Sequence, residues 1–321
     1  MSGDYIYAVS RIRSKEPFLL NKQDIDRLIA EDSEQSAIRF LRDKGWGDDA
    51  CFTADSLLSS EREKLWSLMS ELVEDISVFG IFKIPDDYHN LKVAVKAVTR
   101  GADPENMFVS GFTVSPQTVL KSIETADYSL LPEEMQETAQ RALSTLLQTS
   151  DGQLCDIIID SAALRALYRA GKESRVDIVR IYSEIAVASA DIKTALRASK
   201  INKSREILNE ALVECDTLDV SSLITAAQKG IDEVCSYLQD TDYKDFVSAL
   251  HNSPAEFEKQ CDDFITEKMQ SQKYEYFTAG PLIAYVWARE NEFKAVRLIL
   301  SAKRSGIGEN VIKERMRNLY V

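Results

Sequence analysis

Apolar residues recur along most of this chain at the three- and four-residue spacing of helices that bury one face. Ile25, Leu28 and Ile29 form such a face behind Asn21, which reads as an N-cap with Asp24 three residues on. A compact, basic run from Tyr5 to Arg13 precedes it and is interrupted at Pro17. Ala37, Ile38 and Leu41 mark a second short helix, and Gly45-Trp46-Gly47 ends this head. Residues 56–78 then contain no Gly or Pro, and Leu58, Leu65, Leu68, Met69, Leu72 and Ile76 keep helical register. Gly80 and Pro85 break that helix, and the next one stops at Gly101.

The same order returns twice. Phe112 and Val114 precede Ser115-Pro116, a cap followed by proline at the first helical position. Val119, Leu120 and Ile123 are the short helix behind it. A helix opened by Pro132 ends at Asp151-Gly152, and Leu154 to Arg169 and Val176 to Ser199 are helical. A third round begins near Asn202. There Leu218 and Val220 precede Ser221, and Leu223 and Ile224 start a short helix closed by Gly230. A long amphipathic stretch runs from Phe257 to Phe277, Ala279-Gly280-Pro281 reads as a turn, and Leu282 to Ala302 is helical. Each round ends in a similar block: Leu91-Lys92-Val93-Ala94, Ile192-Lys193-Thr194-Ala195 and Phe293-Lys294-Ala295-Val296, at a constant interval of 101 residues. A fixed period with a fixed order of elements indicates repeated helical units. The expected organisation is unit 1 over residues 1–101, unit 2 over 102–201 and unit 3 over 202–304, with a last helix over 305–321. That last segment keeps Val311, Ile312, Met316, Leu319, Tyr320 and Val321 apolar to the end, unlike the polar cap of an open solenoid. It is expected to dock beside the first unit, so the fold class is all-α, with three similar units in a closed funnel of pseudo-threefold symmetry.

Composition narrows the function. Glycine (12) and proline (7) are too few for an all-β chain rich in turns. A net charge of −13 repels a phosphate backbone, so nucleic acid is not an expected partner. Cys51, Cys155, Cys215, Cys235 and Cys261 make no CxxC or zinc spacing and read as buried or half-buried free thiols. Met1-Ser2-Gly3-Asp4 does not begin a signal peptide, and the apolar stretch between Glu275 and Arg289 is too short and broken to span a bilayer.

Catalytic signatures are absent: there is no GxxxxGK[ST], GxGxxG or GxSxG. Gly306-Ile307-Gly308 follows a helix and reads as its C-terminal stop. His89 and His251 have no neighbouring Cys or second His, so no metal, cofactor or small-molecule substrate is expected. The acidic pairs Asp86-Asp87, Glu133-Glu134 and Asp262-Asp263 read as carboxylates at helix starts. Tyr274, Tyr276 and Phe277 read as core aromatics near a hairpin turn, and Arg11, Arg13 and Lys15 as a contact surface or a solvated face.

Four segments together carry a resemblance. Tyr7-Ala8-Val9-Ser10-Arg11-Ile12-Arg13 with Leu19-Leu20 resembles the opening of the C subunits of the V-type and A-type ATPases, a family similar to the d subunits of eukaryotic vacuolar ATPases. Asp87-Tyr88-His89-Asn90-Leu91-Lys92 resembles that family's Asp-x-x-Asn-x-Lys signature, and Ile192 to Ala198 its central segment. Pro281 to Tyr285, Glu290-Asn291-Glu292 and the ending Arg315 to Val321 resemble its C-terminus. Ser10 departs from the basic or larger residue usual there. The resemblance implies a non-enzymatic rotor part without cofactors, one copy per complex and a monomer in isolation. It would lie peripherally on the cytoplasmic side, between the central shaft, made of the D and F subunits, and the membrane rotor ring. Asn21, Lys22, Ser115, Lys121, Ser221 and Lys229, one head start and lysine per unit, are the expected shaft contacts. A helical-repeat adaptor for another partner, an open superhelix with capped ends, is the alternative reading.

Overall fold

The computed structural model describes residues 5–48, 50–111, 113–201 and 204–321. The expected residues Asn202 and Phe112, the first four residues and the side chain of His251 lie outside it. The described residues contain no strand. Their α-helices are, in order, α1 (Ile6–Lys15), α2 (Lys22–Ala30), α3 (Glu34–Asp43), α4 (Ala54–Leu72), α5 (Ile84–Arg100), α6 (Pro116–Thr125), α7 (Glu133–Thr149) and α8 (Gly152–Glu173). They continue as α9 (Asp177–Ile201), α10 (Arg205–Ala211), α11 (Val220–Lys229), α12 (Ile231–Leu238), α13 (Val247–Asn252), α14 (Pro254–Gln270), α15 (Gly280–Arg304) and α16 (Glu309–Arg315). The protein is all-α. Its contacts group into two compact units: Met1–Ser77 with Val176–Ile178 and Ala249–Val321, and Val78–Arg175 with Val179–Ser248.

The first of these, the terminal unit, is built from both ends of the chain. Helix α15 is buried nearly all round through its first turns, and α1, α3, α4, α14 and α16 pack against it. Hydrophobic burial holds this arrangement together, and one ionic cluster fixes its register. The Arg289 guanidinium pairs with Glu61 from α4 and, at 2.6 Å, with Glu292. It also lies 4.8 Å from the Trp46 and Phe293 ring centres. All three charged groups are buried. Removing one partner of such a set strands a charge in a low dielectric and costs about 3–5 kcal/mol.

Of the apolar residues in the C-terminal segment, Ile312 and Tyr320 are buried, while Val311 and Val321 are exposed. Tyr320 is buried, its hydroxyl 3.4 Å from Glu16 Oε1, while Gln270 Nε2 donates to the carbonyls of Leu319 (3.2 Å) and Tyr320 (3.0 Å). Arg317 pairs with Asp262, and the Asn318 N–H donates to Asp263. Helix α16 packs on α2. Asp262 and Asp263 therefore do not start a helix, as their sequence suggested. They lie within α14 and receive the chain's end.

The middle-chain unit packs α5, α6, α7 and α8 around a core that includes Leu91, Val119, Ile123, Met135, Leu143, Ile158 and Ile159. Gly171 permits the close approach of α8 and α9, since a Cβ there would lie 1.7 Å from Ser183 Oγ.

Three element boundaries differ from the sequence reading. The helix expected over 56–78 starts earlier, capped by Thr53, and ends at Leu72. Val73 is extended, and Asp75 Oδ1 accepts from the Ser77 N–H at 2.8 Å, a local bond that competes with continuing the helix. Gly280 and Pro281 are not a turn but the first residues of α15, where proline's missing N–H costs nothing. The stretch ending at Phe277 stops being α-helical at Gln270, and Tyr274, Tyr276 and Phe277 are not core: they are 81%, 54% and 58% exposed. Their loop is held instead by Arg13, which donates to the carbonyls of Gln272 (2.8 Å) and Glu275 (3.0 Å).

Deleting residues 312–321 is expected to lower protection from hydrogen exchange in α1 and α2 while leaving α6 to α8 unchanged. Unaltered exchange in α1 and α2 would show that this docking contributes nothing.

Candidate coupling surface

The sequence singled out the starts of three short helices. Asn21 caps α2: its Oδ1 accepts from the Asp24 N–H at 3.0 Å, and Asp24 returns the bond to the Asn21 N–H at 3.2 Å. Ser115 caps α6, its Oγ accepting from the Thr118 N–H at 3.1 Å. The third start is different from the expectation. Ser221 is inside α11, and the cap is Asp219, whose Oδ1 accepts from the Ser222 N–H at 2.6 Å. Hydrogen bonds from Ser222 hold the Asp219 carboxyl below its ordinary pKa. Behind each cap the same positions are buried: Ile25 and Ile29, Val119 and Ile123, Leu223 and Ala227.

The three lysines are not equivalent. Lys22 is the first residue of α2, Lys121 lies midway along α6 and Lys229 is the last residue of α11. All three are exposed, as are Asn21, Ser115 and Ser221. Asn21 and Lys22 belong to the terminal unit, and Ser115, Lys121, Ser221 and Lys229 to the middle-chain unit.

The segments leading into these heads are irregular, so their backbone groups need partners. Buried polar side chains supply them, from the position just before each lysine block. Asn90 Oδ1 accepts from the Val109 N–H and its Nδ2 donates to the Val109 carbonyl, each at 3.0 Å. Both Asp191 oxygens accept from the Val213 N–H at 3.2 Å. Glu292 accepts from the Leu20 N–H. These three are 0%, 0% and 2% exposed. The next apolar residue of each block, Leu91, Ile192 and Phe293, is buried, and so are Ala94, Ala195 and Val296 three residues further. A second bond reinforces two clamps. Asp87 accepts from the Thr113 N–H (2.9 Å) and hydroxyl (2.5 Å), and Glu184 from those of Thr217 (2.8 and 2.6 Å). Asp87 lies in the first turn of α5, as expected, and is also a buried clamp. The residue preceding each block was a visible signal, masked because Asn, Asp and Glu share no single residue type.

Burial pushes the Asp191 carboxyl up to about 8, against the Val213 N–H and with help from Glu214 and Glu184. Burial likewise pushes Glu292 up to about 7, outweighing the Arg289 charge beside it. The five cysteines are free, four buried and Cys215 half-buried. Among the described residues no group of His, Cys, Asp or Glu is placed to hold a metal, and no helix is long and apolar enough to cross a membrane.

The described residues thus form a helical scaffold in which buried polar side chains tie loop segments to helices, with the cap residues Asn21 and Ser115 and the three lysines exposed. Comparison with known sequences gives the family. The model of the ATP synthase (C/AC39) subunit matches residues 8–315, and the chain belongs to that family. It is 24% identical to the C subunit of the V-type sodium ATPase of Enterococcus hirae, an alignment covering 96% of this chain and 97% of the relative. It is also 24% identical to the C subunit of the A-type ATP synthase of Methanocaldococcus jannaschii, over 99% of this chain and 86% of the relative. Against the corresponding A-type ATP synthase protein of Methanosarcina mazei it is 21% identical, over 98% of this chain and 93% of the relative. Membership makes this chain a non-catalytic subunit of a V/A-type ATPase complex.

Because the folded form holds the Asp191 proton more tightly than the unfolded chain, this group's contribution is complete below its ordinary pKa of 3.8 and is lost as the pH rises through about 8. Asp191→Asn is expected to remove that dependence: its stability advantage over the native chain in urea melts grows across this window. Parallel pH profiles of the two chains would refute the assignment.

Proposed function

We propose that this chain is the central-rotor socket of its ATPase. The lower end of the shaft, made of the D and F subunits, seats in a funnel of three like-built units, and the opposite face rests on the membrane rotor ring. Torque passes through it for ATP-driven ion transport or ATP synthesis. The units correspond to residues 1–101, 102–201 and 202–304, with 305–321 closing the funnel against the first. The protein works as a single copy, peripheral on the cytoplasmic side, without cofactor, nucleic acid or small-molecule substrate.

The observation that carries this reading is the recurrence of one buried polar clamp at the same 101-residue interval, at Asn90, Asp191 and Glu292, each bonding to a segment that leads into a capped head. Family membership supports it, as do the names of the relatives, which belong to ion-translocating ATPases and ATP synthases. A torque-bearing part must not shear. Close-packed helices with low compressibility supply stiffness, and clamps at the head-leading segments keep loops from yielding first. The exposed heads, Asn21 with Lys22, Ser115 with Lys121 and Ser221 with Lys229, offer cap side chains and positive charge to the shaft.

Binding of the purified chain to its own shaft pair by calorimetry tests the socket. Each of Lys22→Glu, Lys121→Glu and Lys229→Glu is expected to weaken it by about two- to fivefold at low salt, the scale of an exposed ion pair. Unchanged affinity in all three removes these heads from the interface.

A further inference from the structure

The irregular stretch between α10 and α11 is held at two points by carboxylates of one helix. Glu184 and Asp191 stand about two turns apart on α9, on one face. Asp191 accepts the Val213 N–H with both oxygens at 3.2 Å, and Glu184 accepts the Thr217 N–H at 2.8 Å and hydroxyl at 2.6 Å. The Thr217 end has further anchors. The Tyr243 hydroxyl lies 2.9 Å from that of Thr217, and the Tyr237 hydroxyl accepts the Asp219 N–H at 2.8 Å. Asp216 pairs with Lys172 at 2.6 Å and accepts from the Tyr168 hydroxyl at 2.8 Å. The Val213 end has Asp191 alone. Asp191 is 0% exposed, and among the described residues the Val213 N–H is its one donor from outside its own helix.

The charges that act on Asp191 share its sign: Glu214 on the stretch itself and Glu184 on its own helix. The Cys215 thiol beside these carboxylates is neutral, pushed up to about 12 by burial and by Glu184 and Asp191. On α8, Arg165, Arg169 and Lys172 line a groove of about 570 Å³ with Leu212, Val213 and Glu214, and Asp191 is not among its lining residues. Residues 212–214 therefore border open space on one side and cover a carboxyl group on the other. A carboxyl sealed from water, with a single N–H donor and no cation, keeps its proton. Burial accordingly pushes Asp191 up to about 8. The neutral group needs no water, whereas the ionised one does. We propose that residues 212–215 are a proton-locked strap, closed over Asp191 while its carboxyl is protonated and lifted as that proton passes to solvent and water reaches the carboxylate. Asp216 and Thr217 stay anchored, so the strap hinges there and at the end of α10.

Hydrogen exchange of the Val213 amide in the full chain, followed by NMR against pH, tests the strap. Base-catalysed exchange of an opened amide rises about tenfold per pH unit, and opening that releases one proton adds about another tenfold. Between about pH 5 and 7 the Val213 rate is therefore expected to rise about a hundredfold per unit in the native chain. Asp191→Asn keeps an oxygen for the Val213 N–H and has no proton to release, so its rate is expected to rise about tenfold per unit. Above about 8, where Asp191 ionises in the closed form as well, the two chains are expected to rise in parallel. Val213 is also expected to exchange faster than the buried Leu91 and Ile158 amides of the same unit, because the strap opens while that core stays folded. The native slope decides by itself if Asp191→Asn fails to fold. A native slope of about tenfold per unit overturns the proton lock. Exchange of Val213 at the same rate as Leu91 and Ile158 overturns the strap, since the whole unit then unfolds together.

Discussion

The structure depends on one constraint: irregular backbone that enters the interior must find hydrogen-bond partners there. Helices satisfy themselves, but the segments leading into the short head helices do not. Asn90, Asp191 and Glu292 meet that need from the same helical position, each bonding to a residue in such a segment: Val109, Val213 and Leu20. The three side chains solve it with different chemistry. The amide both donates and accepts and stays neutral. The two acids accept the backbone N–H, and burial drives both toward the protonated form. An amide is the least costly of the three in a dry interior, and a carboxylate becomes comparable only where a cation compensates. Glu292 has Arg289 beside it.

The same logic explains the terminal unit. A helix as thoroughly buried as α15 could slide among its neighbours if contacts were apolar alone. Arg289, held by Glu61 and Glu292 and flanked by Trp46 and Phe293, makes one register much better than the rest. The last residues work alike: Asp262, Asp263 and Gln270 on α14 bind Arg317, Asn318 and the carbonyls of Leu319 and Tyr320. The chain's two ends are thus tied into one unit by specific polar bonds as well as by burial.

In a non-catalytic subunit of a V/A-type ATPase complex, these buried bonds serve the scaffold itself. The segments leading into the short head helices are pinned by buried bonds. The cap residues Asn21 and Ser115 and the lysines Lys22, Lys121 and Lys229 stay exposed on this scaffold. The polar residues of the Asp87-x-x-Asn90-x-Lys92 motif each have a partner: Asp87 and Asn90 hold backbone or side-chain groups of Thr113 and Val109, and Lys92 pairs with Asp160.

The sequence alone determined the helices, because burial of one face imposes a spacing that survives in the residue order. Ile25 with Leu28 and Ile29, the proline after Ser115 and the glycine stops at Gly101 and Gly230 are local signals, and they placed their helices within a few residues. The apolar C-terminus and the 101-residue interval were legible for the same reason. Tertiary structure decided what local signals cannot carry. Asp219 rather than Ser221 caps α11, because the carboxylate two residues earlier reaches Ser222. Asp262 and Asp263 hold a segment some fifty residues later in the chain, and Tyr274, Tyr276 and Phe277 face outward because Arg13, from the other end of the chain, fixes their loop. Asn90, Asp191 and Glu292 look like ordinary surface residues in the sequence. Only the packing that removes water from around them turns each one into a buried partner for loop backbone.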